Sequence, residues 1–447
     1  MEPSQEGEQA TSTSTRPQRT VTRTVAIPDV SFRSVLSRYD PPRVHWSALD
    51  GLELVGTGAA ARIETADEDR FETVRSIAAD LFSAVDHEGP PATRPRFVGG
   101  FSFDPDRDPS STWAGFPAAS FVLPQVQVTR TDEGTWLSVT ACGDDVTVER
   151  VEERLDRVSR TVRDLPQMQP SNGQPGVRST AIRPSKRDWT EIVDRTVDRI
   201  RANDLRKVVL ATAMDVTLCE PIDIPAVLER LRRTYPSCYR FLVQPDGNGS
   251  FFGPPPERLV RKRGRTVLTE ALAGSVPRGS TPEEDDDHAR SLFEDRKLQH
   301  EQELVADAIA DALGPFGDLT VGEQTVRKLT NIQHLHTPID LDLQVDAHVL
   351  DLVEALHPTP AVGGLPQSTA MATIRDVEPF DRGWYAAPVG WFDADGDGEF
   401  AVGIRSGVAR ETDVTLFAGN GIVADSDPDD EWDEIQPKYR PILDELE

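Results

Sequence analysis

Cysteine is scarce in this chain, and the spacing of its three cysteines does not indicate a disulfide framework or a zinc site. Cys142, Cys219 and Cys238 have no CxxC spacing and no neighbouring histidine that could complete a set of metal ligands. Long apolar runs are also missing, so no segment has the length needed to cross a membrane as a helix. We therefore expect a cytoplasmic protein that has no membrane partner and is held together by its apolar core.

Lysine is almost absent from the basic residues. Only six of the 48 basic residues are lysines, and 76 acidic residues spread along the chain bring the formal net charge to −28. Such a surface repels phosphate backbones, which excludes nucleic-acid binding by electrostatic attraction. In 1 M salt, charge repulsion is screened within roughly 3 Å. A hydrated acidic surface suits those conditions, and we expect a salt-adapted protein.

The 447 residues are enough for a large core, and their pattern mixes helices and strands without regular βαβ alternation. This mixture predicts an α+β fold rather than a doubly wound sheet. Residues 1–25 are rich in Thr, Ser, Gln and Arg, and we expect a disordered tail there. Residues 165–182 are rich in Pro, Gln and Gly. We expect them to form a loop between an N-terminal part, 26–164, and a C-terminal part, 183–447.

Three local signals place the elements that matter most for chemistry. Lys207 is predicted to open a strand that ends near Leu218. Thr281 is followed by proline and then by acidic residues in the first turn, which is typical of a helix start, and this helix should run to about Leu313. Asp427 is also followed by proline, so a last helix is predicted to begin there.

Two lone charged residues stand in apolar or proline-rich segments. Lys207 should share one face of its strand with Val209 and Ala211, and Glu257 follows three consecutive prolines. Desolvating an ion without a partner costs several kcal/mol, roughly, so a chain rarely buries such a group without a function for it. A base and an acid in such places indicate acid–base chemistry.

Glu301 is a candidate metal ligand on the helix predicted after Thr281. It lies three residues from both Leu298 and Leu304, so it falls on the apolar stripe of that helix. The sequence favours equally an alternative without a metal. In that alternative, Glu301 reaches solvent at the edge of the stripe or pairs with Lys297.

The last helix carries a second group of charged residues. Glu431, Glu434 and Lys438 have the spacing i, i+3 and i+7, which places them on one helical face. The alternative is a solvated acidic face, common in so acidic a chain. Carboxylates from two helices would suit an octahedral Mg²⁺ that keeps water or substrate oxygen as its other ligands.

Three further residues are weaker candidates for binding an anion. Gly419 and Gly421 follow a predicted strand, where glycine can adopt positive φ and expose backbone N–H groups, although a simple turn is the alternative. Arg405 is predicted within a strand at 400–406, either as an edge cation or as a bidentate clamp on a carboxylate.

The ordered segments together resemble the chorismate-utilising enzymes. This family comprises isochorismate synthases, salicylate synthases and the synthase components for anthranilate and aminodeoxychorismate. The resemblance is strong over about 185–447 and weaker over 95–140. The segments that carry it are 207–211, 256–259, 270–279, Glu301, 333–335, 357–364, 383–391, 404–406 and 418–438. It implies a single α+β domain over 26–447, with two layered halves around a central cleft, and chorismate as the substrate.

The resemblance also implies roles for particular residues. Lys207 and Glu257 correspond to the catalytic base and acid, Glu301 and Glu434 to direct Mg²⁺ ligands, and Glu431 to a ligand that acts through water. This sequence departs from the family at Leu298, where relatives carry an acidic residue. The residues that correspond to substrate-binding positions are Gly274, Ser275, His334, Ala361, Val362, Tyr385, Arg405, Gly419, Gly421 and Lys438.

A few positions favour one reaction within the family. Relatives that add ammonia tend to carry glutamine at the position of Lys207, so lysine resembles the members that add water. Segment 357–364 resembles the isochorismate type, and Ile435 resembles the menaquinone-pathway enzymes. We therefore expect an Mg²⁺-dependent isochorismate synthase, an isomerase that needs no glutaminase subunit. The alternatives are a salicylate synthase, an ammonia-using synthase component, or a chorismate sensor without catalysis.

Overall fold

The computed structural model describes residues 19–49, 51–106, 111–167, 173–247, 249–330 and 332–447. Its helices are α1 (Phe32–Arg38), α2 (Arg70–Phe82), α3 (Val148–Arg163), α4 (Lys186–Arg201), α5 (Ile224–Thr234), α6 (Pro282–Glu294), α7 (Arg296–Leu313), α8 (Val349–Leu356), α9 (Gln367–Val377) and α10 (Pro428–Leu443).

The strands outnumber the helices and form one large sheet. They are β1 (Arg19–Ile27), β2 (Arg43–Ser47), β3 (Glu53–Thr65), β4 (Ala84–Glu88), β5 (Arg96–Phe101), β6 (Ala119–Thr131), β7 (Gly134–Gly143), β8 (Val177–Arg183), β9 (Lys207–Leu218), β10 (Arg240–Gln244), β11 (Ser250–Gly253), β12 (Arg258–Arg263), β13 (Thr266–Pro277), β14 (Gly317–Val321), β15 (Thr325–Lys328), β16 (Ile332–Leu343), β17 (Gly364–Leu365), β18 (Pro388–Asp393), β19 (Gly398–Val402), β20 (Gly407–Arg410) and β21 (Asp413–Ile422).

Two arms of the sheet diverge from β6. One arm continues through β3, β2, β10, β11, β20 and β21 to β9, and the other through β5, β18, β19, β12 and β13 to β16. Strand β1 pairs in parallel with β4, whereas every other pairing within the described ranges is antiparallel. Mostly antiparallel strands with separate helices confirm the predicted α+β class.

Helices α7 and α10 each bury one face against the sheet. Val305, Ile309 and Leu313 lie four residues apart on α7 and are buried where that helix packs on β13. On α10, Ile435 and Tyr439 are buried where the helix packs on β21. Fully burying one such apolar side chain contributes about 1.5–3 kcal/mol. This packing therefore holds each helix at a set position over the sheet.

The N-terminal boundary and the predicted loop differ from expectation. Strand β1 begins at Arg19, so residues 19–25 are not a disordered tail; they pair with β7, and the rest of the predicted tail lies outside the described residues. Residues 177–182 of the predicted loop belong to β8, which pairs with β9. Residues 168–172 of that loop lie outside the described residues. Both strands depend on partners distant in the chain, which local composition does not reveal.

The helix predicted from Thr281 to Leu313 is two helices. Thr281 caps α6 as expected, with its side chain accepting a hydrogen bond from the backbone N–H of Glu284. The helix ends at Glu294, and α7 begins at Arg296 after the extended residue Asp295. Separating the two helices lets α7 follow its own direction over β13.

The predicted starts of the Lys207 strand and of the last helix are confirmed. Strand β9 spans Lys207–Leu218, and the side chain of Asp427 caps α10 by accepting from the N–H groups of Asp429 and Asp430. Among the described residues, no helix is both long and apolar enough to cross a membrane.

Candidate active site

Lys207 lies at the start of β9, and its side chain is buried. Its ammonium group donates a hydrogen bond to Oε1 of Glu301 over 2.6 Å. Glu301 comes from α7, so this ion pair links the arm that ends in β9 to the helix packed on β13 of the other arm. The structure thus shows that Glu301 turns into the protein to meet Lys207. The alternative in which Glu301 reaches solvent at the edge of the stripe is therefore wrong. The alternative pairing with Lys297 is not tested, because the side chain of Lys297 lies outside the described residues.

Gly421 makes room for this pair. It lies on β21 directly beside β9, where it is opposite Val209. A Cβ atom on Gly421 would lie 2.9 Å from Cε of Lys207 and 3.2 Å from Oε1 of Glu301. These distances are tighter than ordinary van der Waals contact, so a larger residue would displace the pair.

The prediction that Gly419 and Gly421 follow a strand was wrong. Both belong to β21, which runs to Ile422, and neither adopts a positive φ. These glycines leave room for the side chains beside the strand and do not form a turn. A Cβ atom on Gly419 would lie 3.0 Å from the hydroxyl of Tyr385, which stacks on Phe417.

Glu257 approaches the same cavity from the other arm of the sheet. It immediately precedes β12, its residue is buried, and its side chain lines the cavity that Lys207 also lines. Burial, and then the negative charge of Glu270, raise the pKa of Glu257 to about 8. At neutral pH the Glu257 carboxyl therefore carries a proton that it can donate.

The three predicted metal ligands line this cavity too. Glu301 contacts Lys207, Glu434 accepts a hydrogen bond from Lys438 over 3.0 Å, and Glu431 accepts one from the side-chain amide of Asn420. Carboxylates are the ligand type that Mg²⁺ prefers. The donor set on the walls of the cavity therefore fits a hard divalent cation.

In the arrangement described, these carboxylates do not yet converge. Within the described ranges, no three side chains of His, Cys, Asp or Glu are close enough together to hold a metal ion. Lys207 and Lys438 instead contact Glu301 and Glu434. A cation would have to replace these two ammonium groups as the partner of each carboxylate.

Cationic groups form another side of the cavity. Lys438 donates to the carbonyl of Gly419 and to Oδ1 of Asn420, and burial lowers its pKa. Burial likewise lowers the pKa of Arg405. The prediction that Arg405 lies in a strand was wrong, because β19 ends at Val402 and Arg405 adopts a φ of +52° in the following loop. A non-glycine residue held in this conformation is often functional.

His334 and Ser275 lie on neighbouring strands, and Nδ1 of His334 is 2.8 Å from the Ser275 hydroxyl. Burial, followed by the positive charges of Arg405 and Lys438, lowers the pKa of His334 to about 3, so this imidazole is neutral. Gly274 has a φ of +62° where the pairing of β13 with β16 shifts register. Such a bulge redirects the next side chain, here Ser275.

The structure brings every predicted site residue to this one cavity. Ala361, Val362 and Tyr385 complete its wall, as does Leu298, the residue that departs from the family pattern. The individual catalytic, binding and ligand roles stay predictions, because a shared cavity does not by itself assign a role. His357 is elsewhere, with Nε2 bound to the carbonyl of Phe103, in keeping with a structural role.

Sequence reasoning missed residues that support the site from behind. Asn420 bridges Glu431 and Lys438. Arg382 and Glu378 form a buried ion pair; Arg382 donates to the carbonyls of Val209 and Val362, and Glu378 accepts the N–H of Ala211. Asn420 could have been suspected as a polar residue between two glycines in an apolar strand. The Glu378–Arg382 pair, spaced i and i+4, looks like an ordinary surface pair in the sequence.

Comparison with known proteins gives consistent results across sequence and structure. A family model described as chorismate binding enzyme matches residues 6–447. Isochorismate synthase MenF of Bacillus subtilis (strain 168) is 36% identical over 434 residues, covering 93% of this chain and 90% of that protein. The salicylate biosynthesis isochorismate synthase of Pseudomonas aeruginosa is also 36% identical, over 398 residues that cover 88% of this chain and 82% of that protein.

Two solved structures share the fold. The menaquinone-specific isochorismate synthase MenF of Escherichia coli superposes with a TM-score of 0.79 at 28% identity, covering 97% of each chain. Anthranilate synthase component I of Streptococcus pneumoniae superposes with a TM-score of 0.73 at 21% identity, covering 98% of this chain and 95% of that one. The second similarity concerns the fold alone.

Proposed function

We infer that this chain, which belongs to the family of chorismate-binding enzymes, is an isochorismate synthase, an isomerase that converts chorismate into isochorismate. One observation carries the proposal beyond the family. A buried lysine and a protonated buried glutamic acid come from the two arms of the sheet and line one cavity. A base and an acid in these places can remove a proton on one side of a small ring and deliver one on the other.

In the proposed reaction, Lys207 takes a proton from a water molecule whose oxygen adds to C2 of the ring. The ring double bonds shift, the C4 hydroxyl departs, and Glu257 donates the proton with which it leaves as water. The reaction consumes one water and releases one, so the net change is an isomerisation. To act as the base, Lys207 must be a neutral amine, which has a lone pair for the water proton and can still donate an N–H hydrogen bond to Glu301.

We propose Mg²⁺ as the metal, held directly by Glu301 and Glu434 and through water by Glu431. The support is the donor set on the cavity wall, which includes Glu434, whose side chain is 47% accessible. When bound, the ion supplies a positive charge that holds the ring carboxylate of the substrate and withdraws electron density from the ring. Arg405 and Lys438 are proposed to bind the other carboxylate of chorismate, because both cations are buried on the same cavity wall.

The substrate-binding roles of the remaining wall residues are proposals of the same kind. Tyr385, His334 and Ser275 offer hydroxyl and imidazole groups to the substrate, and the small residues Gly274, Gly419 and Ala361 leave it room. Leu298 offers no charge where relatives have an acidic residue. We therefore expect the water shell around the proposed cation to differ from theirs without loss of the ion.

Two related reactions are the alternatives. A salicylate synthase would go on to eliminate pyruvate, whereas an ammonia-using synthase would form an amino product with a glutaminase partner. Both curated relatives described above are named isochorismate synthases, which supports the reaction that stops at isochorismate. We propose that the chain works without a glutaminase subunit.

The experiment that tests this function is a product analysis. The purified protein, incubated with chorismate and Mg²⁺, should form isochorismate, identified by chromatography and NMR. Salicylate with pyruvate, or an aminated ring when ammonium is added, would instead support one of the alternatives. Chorismate binding without any product would indicate a sensor.

We further propose a role in menaquinone formation in a salt-adapted cytoplasm. The solved E. coli relative is described as menaquinone-specific, and the net charge of −28 with six lysines suits concentrated salt. Restoring growth of a menaquinone-deficient strain with this gene, but not with its Lys207→Gln variant, would support the pathway. Restoring a salicylate-deficient strain alone would contradict it.

A further inference from the structure

Glu270 is a buried carboxylate on β13 with three hydrogen-bond donors around it. Its Oε1 accepts from Nη1 of Arg327 over 2.7 Å, and its Oε2 lies 3.0 Å from Nε2 of His336. Arg327 and His336 come from β15 and β16. These contacts lower the pKa of Glu270 to about 2, despite its burial, so it is negatively charged at neutral pH.

The third donor connects Glu270 to the proposed acid. Oε1 of Glu270 also accepts the backbone N–H of Arg258 over 3.1 Å. The carbonyl of Glu257, in the same peptide group, accepts the backbone N–H of Val402 over 3.1 Å. The peptide that joins Glu257 to Arg258 is therefore hydrogen-bonded on both sides. One of its two partners, the carboxylate of Glu270, is a negative charge close to Glu257.

We propose that Glu270, kept in place by Arg327 and His336, is a positioning residue that orients Glu257 and keeps it in its protonated form for catalysis. Glu270 does not line the cavity, so it acts through Glu257 rather than on the substrate. This inference rests on the proposed function, because it assumes that Glu257 is the proton donor.

The charge of Glu270 changes the pKa of Glu257 in the direction that this role requires. Besides burial, the charge of Glu270 raises the pKa of Glu257, whereas Lys207 and Arg327 lower it. The other charged side chains on the cavity wall are Glu301, Glu431, Glu434, Arg405 and Lys438. None of these is a main influence on Glu257. Glu270 is therefore the acidic neighbour whose removal should change Glu257 most.

The chain contains a matched control cluster that is not part of the cavity wall. Glu53 on β3 pairs with Nε2 of His45 over 3.1 Å and with Arg130 over 2.9 Å, and it is held near a pKa of about 2, as Glu270 is. Glu53 does not line the cavity. Replacing Glu53 removes the same kind of buried Glu–His–Arg contact without touching the peptide after Glu257.

The test compares Glu270→Gln, Arg327→Gln and Glu53→Gln with the wild type. In each protein, kcat/KM for isochorismate formation is measured against pH. In parallel, the carboxyl of Glu257 is titrated by ¹³C NMR in the metal-free, substrate-free protein labelled at glutamate, with its signal assigned by its loss in Glu257→Gln. A thermal melt of each variant reports folding.

We expect the high-pH limb of the Glu270→Gln profile to move down by about one pH unit or more, because a like charge no longer opposes ionisation of Glu257. Arg327→Gln should move the limb in the opposite direction, because it removes a cation. Glu53→Gln should leave the limb in place, and the NMR titration should follow the same order. The proposal is overturned if Glu270→Gln and Arg327→Gln leave the limb unchanged, or if Glu53→Gln moves it equally.

The experiment distinguishes failure of the proposal from misfolding of a variant and from failure of the proposed function. If Glu270→Gln does not fold, Glu270→Asp decides: its shorter side chain should lose the bond to the N–H of Arg258, so kcat should fall, and an unchanged kcat would overturn the proposal. If the wild type forms no isochorismate, the proposed function fails, but the NMR titration of Glu257 still confirms or overturns the influence of Glu270.

Discussion

The ammonium group of Lys207 lies 2.6 Å from Oε1 of Glu301, so the predicted base and a predicted metal ligand are partners in one buried ion pair. The two residues are 94 positions apart in the chain. Gly421 lies beside both and leaves them just enough space. The base therefore depends on the position of a carboxylate that the proposed metal would also need.

Replacing Glu301 with glutamine should abolish turnover while leaving the fold intact. The amide can still accept the hydrogen bond from Lys207, but it cannot supply a charge to a hard cation. We expect kcat/KM to fall by at least about 100-fold, because the loss of even an outer-shell partner of a metal ligand costs about 10- to 100-fold. Glu303→Gln, an exposed residue on the same helix, is the matched control and should keep full activity. EDTA should inactivate the wild type reversibly. Full activity of Glu301→Gln would refute the metal assignment.

Gly421→Ala should separate activity from stability. Its added methyl group would lie 2.9 Å from Cε of Lys207, the flexible end of that side chain, so the lysine moves and the strand remains paired. A displacement of about 1 Å at a reacting group can cost up to about 100-fold in rate. Gly314→Ala, whose methyl group would meet open space, is the control for both turnover and melting temperature. Equal turnover in the two variants would show that Lys207 need not stay where it is.

Lys207→Gln and Glu257→Gln should each lower kcat by about 100- to 10,000-fold, the usual contribution of a positioned acid or base. Chorismate affinity should change much less, because neither residue is proposed to bind the substrate carboxylates. Isothermal titration of chorismate into each variant, with a thermal melt alongside, measures this. If the variants instead lose binding or melt early, the two residues only shape the cavity.

The pH dependence of the reaction should follow Glu257. Its pKa of about 8 means that the proton donor is present below pH 8 and lost above it. We expect kcat/KM to fall about tenfold per pH unit beyond that point. A profile that stays flat to pH 10 would exclude Glu257 as the acid.

The free energy of unfolding should also depend on pH through Glu257. In the folded chain Glu257 keeps a proton up to about pH 8, whereas in the unfolded chain its pKa returns to the ordinary 4.5. The folded state therefore binds more protons in this window, and the free energy of unfolding declines as pH rises from 4.5 to 8. Glu257→Gln should show a smaller decline over the same window in urea titrations.

Salt should stabilise the protein. The net charge of −28 creates repulsion that acts over roughly 30 Å in 0.01 M salt and only about 3 Å in 1 M salt. We expect the melting temperature to rise steadily from dilute buffer to molar KCl. A melting temperature that does not change over this range would contradict salt adaptation.

The sequence by itself determined the local elements and the chemical types of the site. Lys207 opens β9 and Asp427 caps α10 as predicted, because strand alternation and helix capping depend on residues only a few positions apart. The segments that carry the family resemblance were also visible in the sequence. From these segments we predicted the site residues, all of which line one cavity. The same segments predicted the α+β class and chorismate as the substrate.

Only the tertiary structure decided what those residues experience. Strands β1 and β8 exist because β7 and β9 supply their hydrogen-bond partners, and Arg405 leaves its strand because the loop after β19 turns it toward the cavity. The protonation of Glu257 depends on burial and on the neighbouring charge of Glu270, and the contact between Lys207 and Glu301 depends on how α7 packs over the sheet. Burial and long-range electrostatics arise from groups far apart in the chain, so no local pattern contains them.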